Sequence, residues 1–187
     1  MTVTELKSDS QKSFTYLYER PAITVDAIVI TEEHPPHVLL IRRKNEPWAG
    51  FWALPGGYCD RGETLEAATA RELLEETGVD AQRWGLKFGQ ICTMGDPGRD
   101  PRGWIVGLAY AALTSVDRNL LGARAGDDAA ATEWFPIDNL PLPLATDHLE
   151  MLQRACRWIV LTDKRVLEGN DLLRKALLDV AGGLANK

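Results

Sequence analysis

The chain has 187 residues, 45% of them hydrophobic and 26% charged, the balance of one domain that can bury a core. A formal net charge of -6 at pH 7 excludes a general nucleic-acid binder, which needs a basic footprint. No apolar run approaches the ~20 residues of a membrane helix, and Met1 to Lys12 is too polar for a secretory signal.

Residues 1–14 read as a flexible lead, and 15–187 as one domain with C-terminal helices. Ala22 to Ile30 is rich in Val and Ile and reads as a buried strand. Glu33-His34-Pro35-Pro36 is a turn signal, and His37 to Arg42 is the partner strand. Trp52 to Leu54 is a short strand that stops at Pro55-Gly56-Gly57. Glu63 to Thr77, rich in Ala, Leu and Glu, is a helix with Gly78 just past its end. Trp84 to Thr93 and Trp104 to Leu113 read as strands around a polar loop, Gly95 to Gly103. Thr132 to Phe135 is a last strand. Thr146 caps a helix to about Val160, with Leu149, Leu152, Cys156 and Ile159 on one face, and Asp171 to Val180 is another helix. The order gives a mixed α/β domain.

Within the central helix, Glu72, Glu75 and Glu76 stand at i, i+3 and i+4, inside a sector of roughly 100°. Like charges at that spacing repel, and Arg71 borders them on one side only. Carboxylates so arranged suit a hard cation, Mg²⁺ or Mn²⁺. The alternative is a solvated acidic face. Ala67, Ala70, Leu73 and Leu74 lie opposite and are expected to pack on the sheet. Three scattered cysteines (Cys59, Cys92, Cys156) make neither a disulfide framework nor a zinc site, and His34, His37 and His148 show no ligand spacing. A reducing cytoplasm is the simplest home.

The stretch Gly57, five residues, Glu63, seven residues, Arg71-Glu72-Leu73, one residue, Glu75-Glu76, one residue, Gly78-Val79 resembles the signature of the Nudix hydrolases at every fixed position. A chance match at seven invariant positions is on the order of one in a million. Flanks from Ala22 to Pro141 are similar to that family's domain. The resemblance implies an α/β/α sandwich with a mixed sheet and a catalytic loop-helix. It implies metal ligation by the Gly56 carbonyl and by Glu72, Glu75 and Glu76. Glu63 would support the loop and helix, Arg71 would pair with a carboxylate as a clamp, and Gly57 and Gly78 would be structural. The reaction that the resemblance implies is attack of a metal-activated water on a pyrophosphate linkage. Its general base is left between Glu75 and Asp128, the latter in Gly126-Asp127-Asp128-Ala129, where the other reading is a turn.

Trp48 to Gly57, the Asp96 to Gly103 loop and Ala125 to Ala129 before Trp134-Phe135-Pro136 resemble the ADP-ribose-cleaving branch. In similar loops the residue after the Arg-Gly pair is often Arg, whereas here Trp104 follows Arg102-Gly103. Arg42, Arg43, Arg99 and Arg102 are candidates for phosphate or the terminal ribose phosphate, against ordinary surface charge. Trp48, Trp52 and Trp104 are candidates for stacking on a base, against core packing. The expected partner is a small nucleotide substrate, with no nucleic acid, no membrane and a homodimer as the commonest assembly. Competing readings are a nucleoside triphosphate pyrophosphohydrolase and an ADP-ribose-sensing regulatory domain with a winged helix.

Overall fold

The computed structural model describes residues 17–126 and 129–182, so the expected 1–14 lead and Asp127-Asp128 lie outside the described residues. Seven strands form one mixed sheet: β1 (Ala22–Thr31), β2 (His37–Arg43), β3 (Trp52–Ala53), β4 (Gly56–Tyr58), β5 (Gly89–Met94), β6 (Ile105–Thr114) and β7 (Ala129–Pro136). The main path runs β3-β2-β1-β6-β5, with β4 paired to β1 and β7 to β2. The β1–β6 pair is parallel, and the other strand pairs are antiparallel.

A parallel pair at the centre of a sheet is covered on both faces, which explains the unbroken Val/Ile run of β1. Its residues alternate between two helical layers. Ala27 and Val29, with Leu39 of β2, pack on Leu73 of α1 (Leu65–Thr77). Ile28 and Ile30, with Val38 and Leu40, pack on Met151, Leu152, Ala155 and Ile159 of α3 (His148–Thr162). Short helix α2 (Arg118–Leu121) lies between β6 and β7. Helices α4 (Lys164–Glu168) and α5 (Asp171–Ala181) follow α3, and Leu173, Leu177 and Val180 of α5 join the α3 core. The result is the α/β/α sandwich that the sequence implied.

Four local expectations change. Residues 81–85 are turns rather than strand, so β5 starts only at Gly89. Gly56 and Gly57 do not end a strand; they begin β4, paired with Asp26 and Val25 of β1. Thr146 does not cap α3, because its own φ is 47° and its hydroxyl donates to Asp147 at 2.9 Å; Asp147 is the residue before the helix. Leu74 and Ala67 face solvent, and the buried face of α1 is Ala68, Thr69, Leu73, Glu76 and Thr77.

Helix α1 is pinned at both ends. Thr64 accepts the Ala67 N–H at 3.2 Å, and Gly78 takes a left-handed φ of 71° while its N–H bonds to the Leu74 carbonyl. The last helical carbonyls need partners from elsewhere. The segment before β7 supplies them: Arg124 N–H donates to Thr77 O at 2.7 Å and Gly126 N–H to Glu76 O at 2.9 Å. A Cβ on Gly126 would lie 1.7 Å from the Glu75 carbonyl oxygen, which is backbone and cannot swing away. Gly126→Ala is therefore expected to cost about 1–3 kcal/mol through overpacking. A urea unfolding midpoint that matches the wild type would refute this docking of the segment.

Candidate active site

The site is built where α1 crosses β4. Leu54 turns its side chain to the α3 core, and at Gly56 and Gly57 the backbone itself is the surface that meets α1. A Cβ on Gly56 would meet the Val25 carbonyl oxygen at 2.2 Å, and one on Gly57 would meet all three Glu72 carboxyl atoms at 2.6 Å. The two glycines thus let β1 press on one side and the Glu72 carboxylate on the other. Glu76 completes the contact by accepting the Gly56 N–H through Oε2 at 2.8 Å. It is 8% exposed, so it is a carboxylate turned inward on the buried face of the helix.

Arg71 holds the rest of the acidic group. Its Nη2 donates to Glu63 Oε1 at 2.7 Å and to the Tyr58 carbonyl at 3.0 Å, and its Nε donates to Glu63 Oε2 at 3.1 Å. Its Nη1 donates to Glu72 at 2.8 Å and Glu75 at 3.1 Å. Arg71 pairs with carboxylates as the resemblance implied, and although it borders the cluster on one side, its guanidinium reaches two of the three clustered carboxylates. Its long side chain folds back along the helix, which residue spacing alone does not show. These bonds have electrostatic consequences. The Arg71 hydrogen bond holds Glu63 below the usual carboxylate range. Burial pushes Glu72 up, against the pull of Arg71.

Among the described residues, no three His, Cys, Asp or Glu side chains converge on a single metal position. The donor set nevertheless fits a hard divalent cation. Glu72 lies against the bare backbone of Gly57, Glu76 against Gly56, and all the donors are oxygens. Gly56, Gly57, Glu72 and Glu76 line a cavity of about 430 Å³ whose other walls are Arg43, Lys44, Tyr58, Arg71 and Arg102. That volume is in the range of small-molecule sites. Glu75 is not among the cavity walls, and 57% of its side chain is exposed.

The substrate-binding candidates divide. Arg43 and Arg102 line the cavity, and Arg102 also lies over the Tyr58 ring at 5.4 Å. Arg102 forms a fork on the buried Asp100, with contacts down to 2.7 Å. Arg99 makes two bonds to Asp147, at 2.6 and 2.7 Å, that tie the 96–103 loop to the start of α3, and it lines a small adjoining pocket with Gly56, Gly57, Arg43 and Arg102. Arg42 reaches back to the Gly50 carbonyl. Trp52 is not a wall of the cavity; it packs edge-on against Phe135, 4.7 Å between centroids, beside the α3 core. Trp104 is 56% exposed. Asp128 lies outside the described residues.

Sequence reasoning passed over a buried polar group behind Gly56. Asp26 points to the α3 side of β1, and its Oδ1 lies 3.5 Å from Nε2 of His148. The imidazole Nδ1 accepts the Leu54 N–H at 2.8 Å. Burial raises the Asp26 carboxyl to about 7, and burial lowers His148 to about 4. At neutral pH the ring is therefore neutral, and its one proton sits on Nε2, facing Asp26. A lone Asp within a Val/Ile strand was the available signal, since a buried carboxylate needs partners. Asp147 is drawn in as well: burial alone would raise it, but bonds from Arg99 and Thr146 hold it low.

Comparison with known proteins agrees with this geometry. A NUDIX domain matches residues 20–155. An ADP-ribose pyrophosphatase of Methanocaldococcus jannaschii is 40% identical over 152 residues, 81% of this chain and 82% of that protein. An ADPR responsive transcriptional repressor, NtrR, of Acinetobacter baylyi is 37% identical over 142 residues; that match takes in 74% of this chain but only 54% of the repressor. Among solved structures, the NUDIX domain of Shewanella oneidensis NrtR complexed with ADP ribose superposes with a TM-score of 0.67 at 35% identity, covering 76% of this chain and 90% of that one. With the signature helix, the glycine strand and the matched span all in agreement, the chain belongs to the Nudix family.

Proposed function

We propose that the protein hydrolyses the pyrophosphate bond of ADP-ribose or a close nucleoside diphosphate-linked relative, with Mg²⁺, or Mn²⁺ in its place. The observation that supports this most directly is the shared cavity. Glu72 and Glu76 meet the bare Gly56–Gly57 backbone on one wall, and Arg43 and Arg102 stand on another. Oxygen donors for a cation thus face guanidinium groups suited to phosphate oxygens.

In this reading the Gly56 carbonyl, Glu72, Glu75 and Glu76 hold the cation. The bound cation supplies neutralisation of the pyrophosphate charge and acidification of a water. Arg71, braced by Glu63, keeps Glu72 and Glu75 oriented. Arg43 and Arg102 orient the diphosphate, and Tyr58 sits beside them. Arg99 serves by fixing the 96–103 loop to Asp147 rather than by touching phosphate. Trp52 serves as packing. The general base is Glu75 or Asp128. Glu75 is the more exposed carboxylate of α1, while Asp128 follows the Gly126 that docks on Glu76. No helix is long and apolar enough to cross a membrane among the described residues.

A second reading is favoured by the NtrR relative: ADP-ribose acts as a signal and the protein answers to DNA. Among the described residues, the elements after β7 are α3, α4 and α5, with no strand pair to form a wing. Helices α4 and α5 both contribute buried residues to the α3 core.

Three outcomes are expected. With Mg²⁺, ADP-ribose should give AMP and ribose 5-phosphate at a kcat/KM above that of any nucleoside triphosphate. A triphosphate ahead by tenfold, about 1.4 kcal/mol in transition-state binding, would overturn the substrate assignment. In the same series, salt-sensitive binding to duplex DNA released by ADP-ribose would promote the second reading.

Glu76→Gln should lose at least ~10²-fold in kcat/KM yet unfold near the wild-type temperature, because the amide oxygen still accepts the Gly56 N–H. Near-normal turnover at saturating Mg²⁺ would remove Glu76 from the metal site.

Comparison of Glu75→Gln with Asp128→Asn should identify the base as the variant that loses ~10² to 10⁴ in rate and flattens the acid limb of the pH profile. A loss under threefold in either one excludes it.

A further inference from the structure

The segment from Trp52 to Gly56 delivers the backbone of the site, and its polar groups are secured by a different element at each step. Trp52 O accepts the Ala145 N–H at 2.8 Å, beside a parallel bridge between Trp52 and Leu144. Pro55 O accepts the Ala27 N–H of β1 at 2.8 Å. Gly56 N–H goes to Glu76 of α1 at 2.8 Å. Between these points lies the Leu54 N–H. The next carbonyl along the neighbouring segment, that of Ala145, accepts the His148 N–H at 3.2 Å at the start of α3. The His148 ring takes that place, accepting through Nδ1 at 2.8 Å.

We propose that His148 is a positioning residue for the metal-binding backbone: it replaces the missing strand carbonyl at Leu54 and thereby sets the orientation of the Gly56 carbonyl. The proposal rests on the reading of Gly56, Glu72 and Glu76 as cation ligands. The His148 side chain is 10% exposed, and its bond to the Leu54 N–H is buried. A buried N–H that loses its acceptor must find another or move. Movement at Leu54 passes directly to Gly56, because Pro55 between them has a fixed φ and little freedom to absorb it. The second nitrogen makes the arrangement directional. Nδ1 accepts, so Nε2 carries the proton toward Asp26, whose backbone is the Cα partner of Gly56 in the β1–β4 ladder. One imidazole therefore contacts Leu54 on the segment itself and Asp26 on the strand that Gly56 pairs with. Outer groups that orient metal-binding atoms in this way govern affinity for the ion.

The test uses the full chain and Mn²⁺ alone, with free Mn²⁺ read by electron paramagnetic resonance. Amide exchange of Leu54 and Gly56 is followed in metal-free protein, and the unfolding midpoint is recorded for each variant. His148→Asn places its amide oxygen where Nδ1 lies and should stay within threefold of the wild-type Mn²⁺ affinity, with the Leu54 amide still protected. His148→Gln carries the amide one carbon further, away from Leu54, and His148→Leu has no acceptor. Both should bind Mn²⁺ about tenfold more weakly or worse and exchange the Leu54 and Gly56 amides faster. Should His148→Leu fail to fold, the Asn and Gln pair still decides. Equal Mn²⁺ affinity in Asn and Gln, or a wild-type affinity in a folded Leu variant, overturns the proposal while Glu76→Gln still reports on the metal site. A wild-type chain that takes up no Mn²⁺ overturns both.

Discussion

The Gly56–Gly57 backbone lies between β1 and α1 with no space for a Cβ on either residue, and the rest of the site is arranged around that close approach. On the strand side the Val25 carbonyl sits where a Gly56 side chain would be; on the helix side the Glu72 carboxylate sits where a Gly57 side chain would be. A sheet and a helix normally meet through interlocked side chains, with their polar backbones well apart. Here that layer is thinned until helix carboxylates touch strand backbone. The contact places a carbonyl and several carboxylates in one small volume, which apolar packing does not produce.

Such a concentration of negative charge needs support when no cation is bound, and Arg71 supplies it. Its guanidinium is shared among Glu63, Glu72, Glu75 and the Tyr58 carbonyl, so loop and helix are joined through one planar group. A lysine could not serve, because a single ammonium lacks the fixed fork that reaches these partners at once. The cost of assembling like charges is thereby divided between an internal cation and Glu76, whose contact is a backbone N–H.

How far the sequence revealed this depends on how local each interaction is. The helix from Leu65 to Thr77 was legible because Thr64, Gly78 and the Ala/Leu/Glu composition all act within a few residues of it. The β1 run was legible because burial on both faces leaves a continuous apolar stretch. Strand β4 was not, since a Pro-Gly-Gly triplet reads as a break and is a strand only because β1 lies alongside. The contacts that hold Arg99 and Trp52 in place were not legible: their partners, Asp147 and Phe135, are 48 and 83 residues away in the chain, and no periodicity links them. His148 was dismissed for lacking ligand spacing, which is correct as far as spacing goes. Its role lies in a single hydrogen bond to a backbone 94 residues distant.

The way α1 is fastened also limits where the chain can lengthen or shorten. Its start is capped by Thr64 and braced by Glu63 through Arg71, and its last carbonyls are stitched to Arg124 and Gly126. A single-residue insertion inside the helix turns everything beyond it by about 100°. With the start of the helix held, that rotation would carry Glu76 off the inward face and bring Glu75 or the inserted residue against Gly56. A gap of the same size in the exposed turn at Gly95–Gly98 meets no such constraint, since a Cβ on Gly98 would encounter nothing within 4 Å. Chains that share this architecture can therefore differ in the length of the Gly95–Gly98 turn, while the register of α1 between Thr64 and Gly78 stays fixed to the residue.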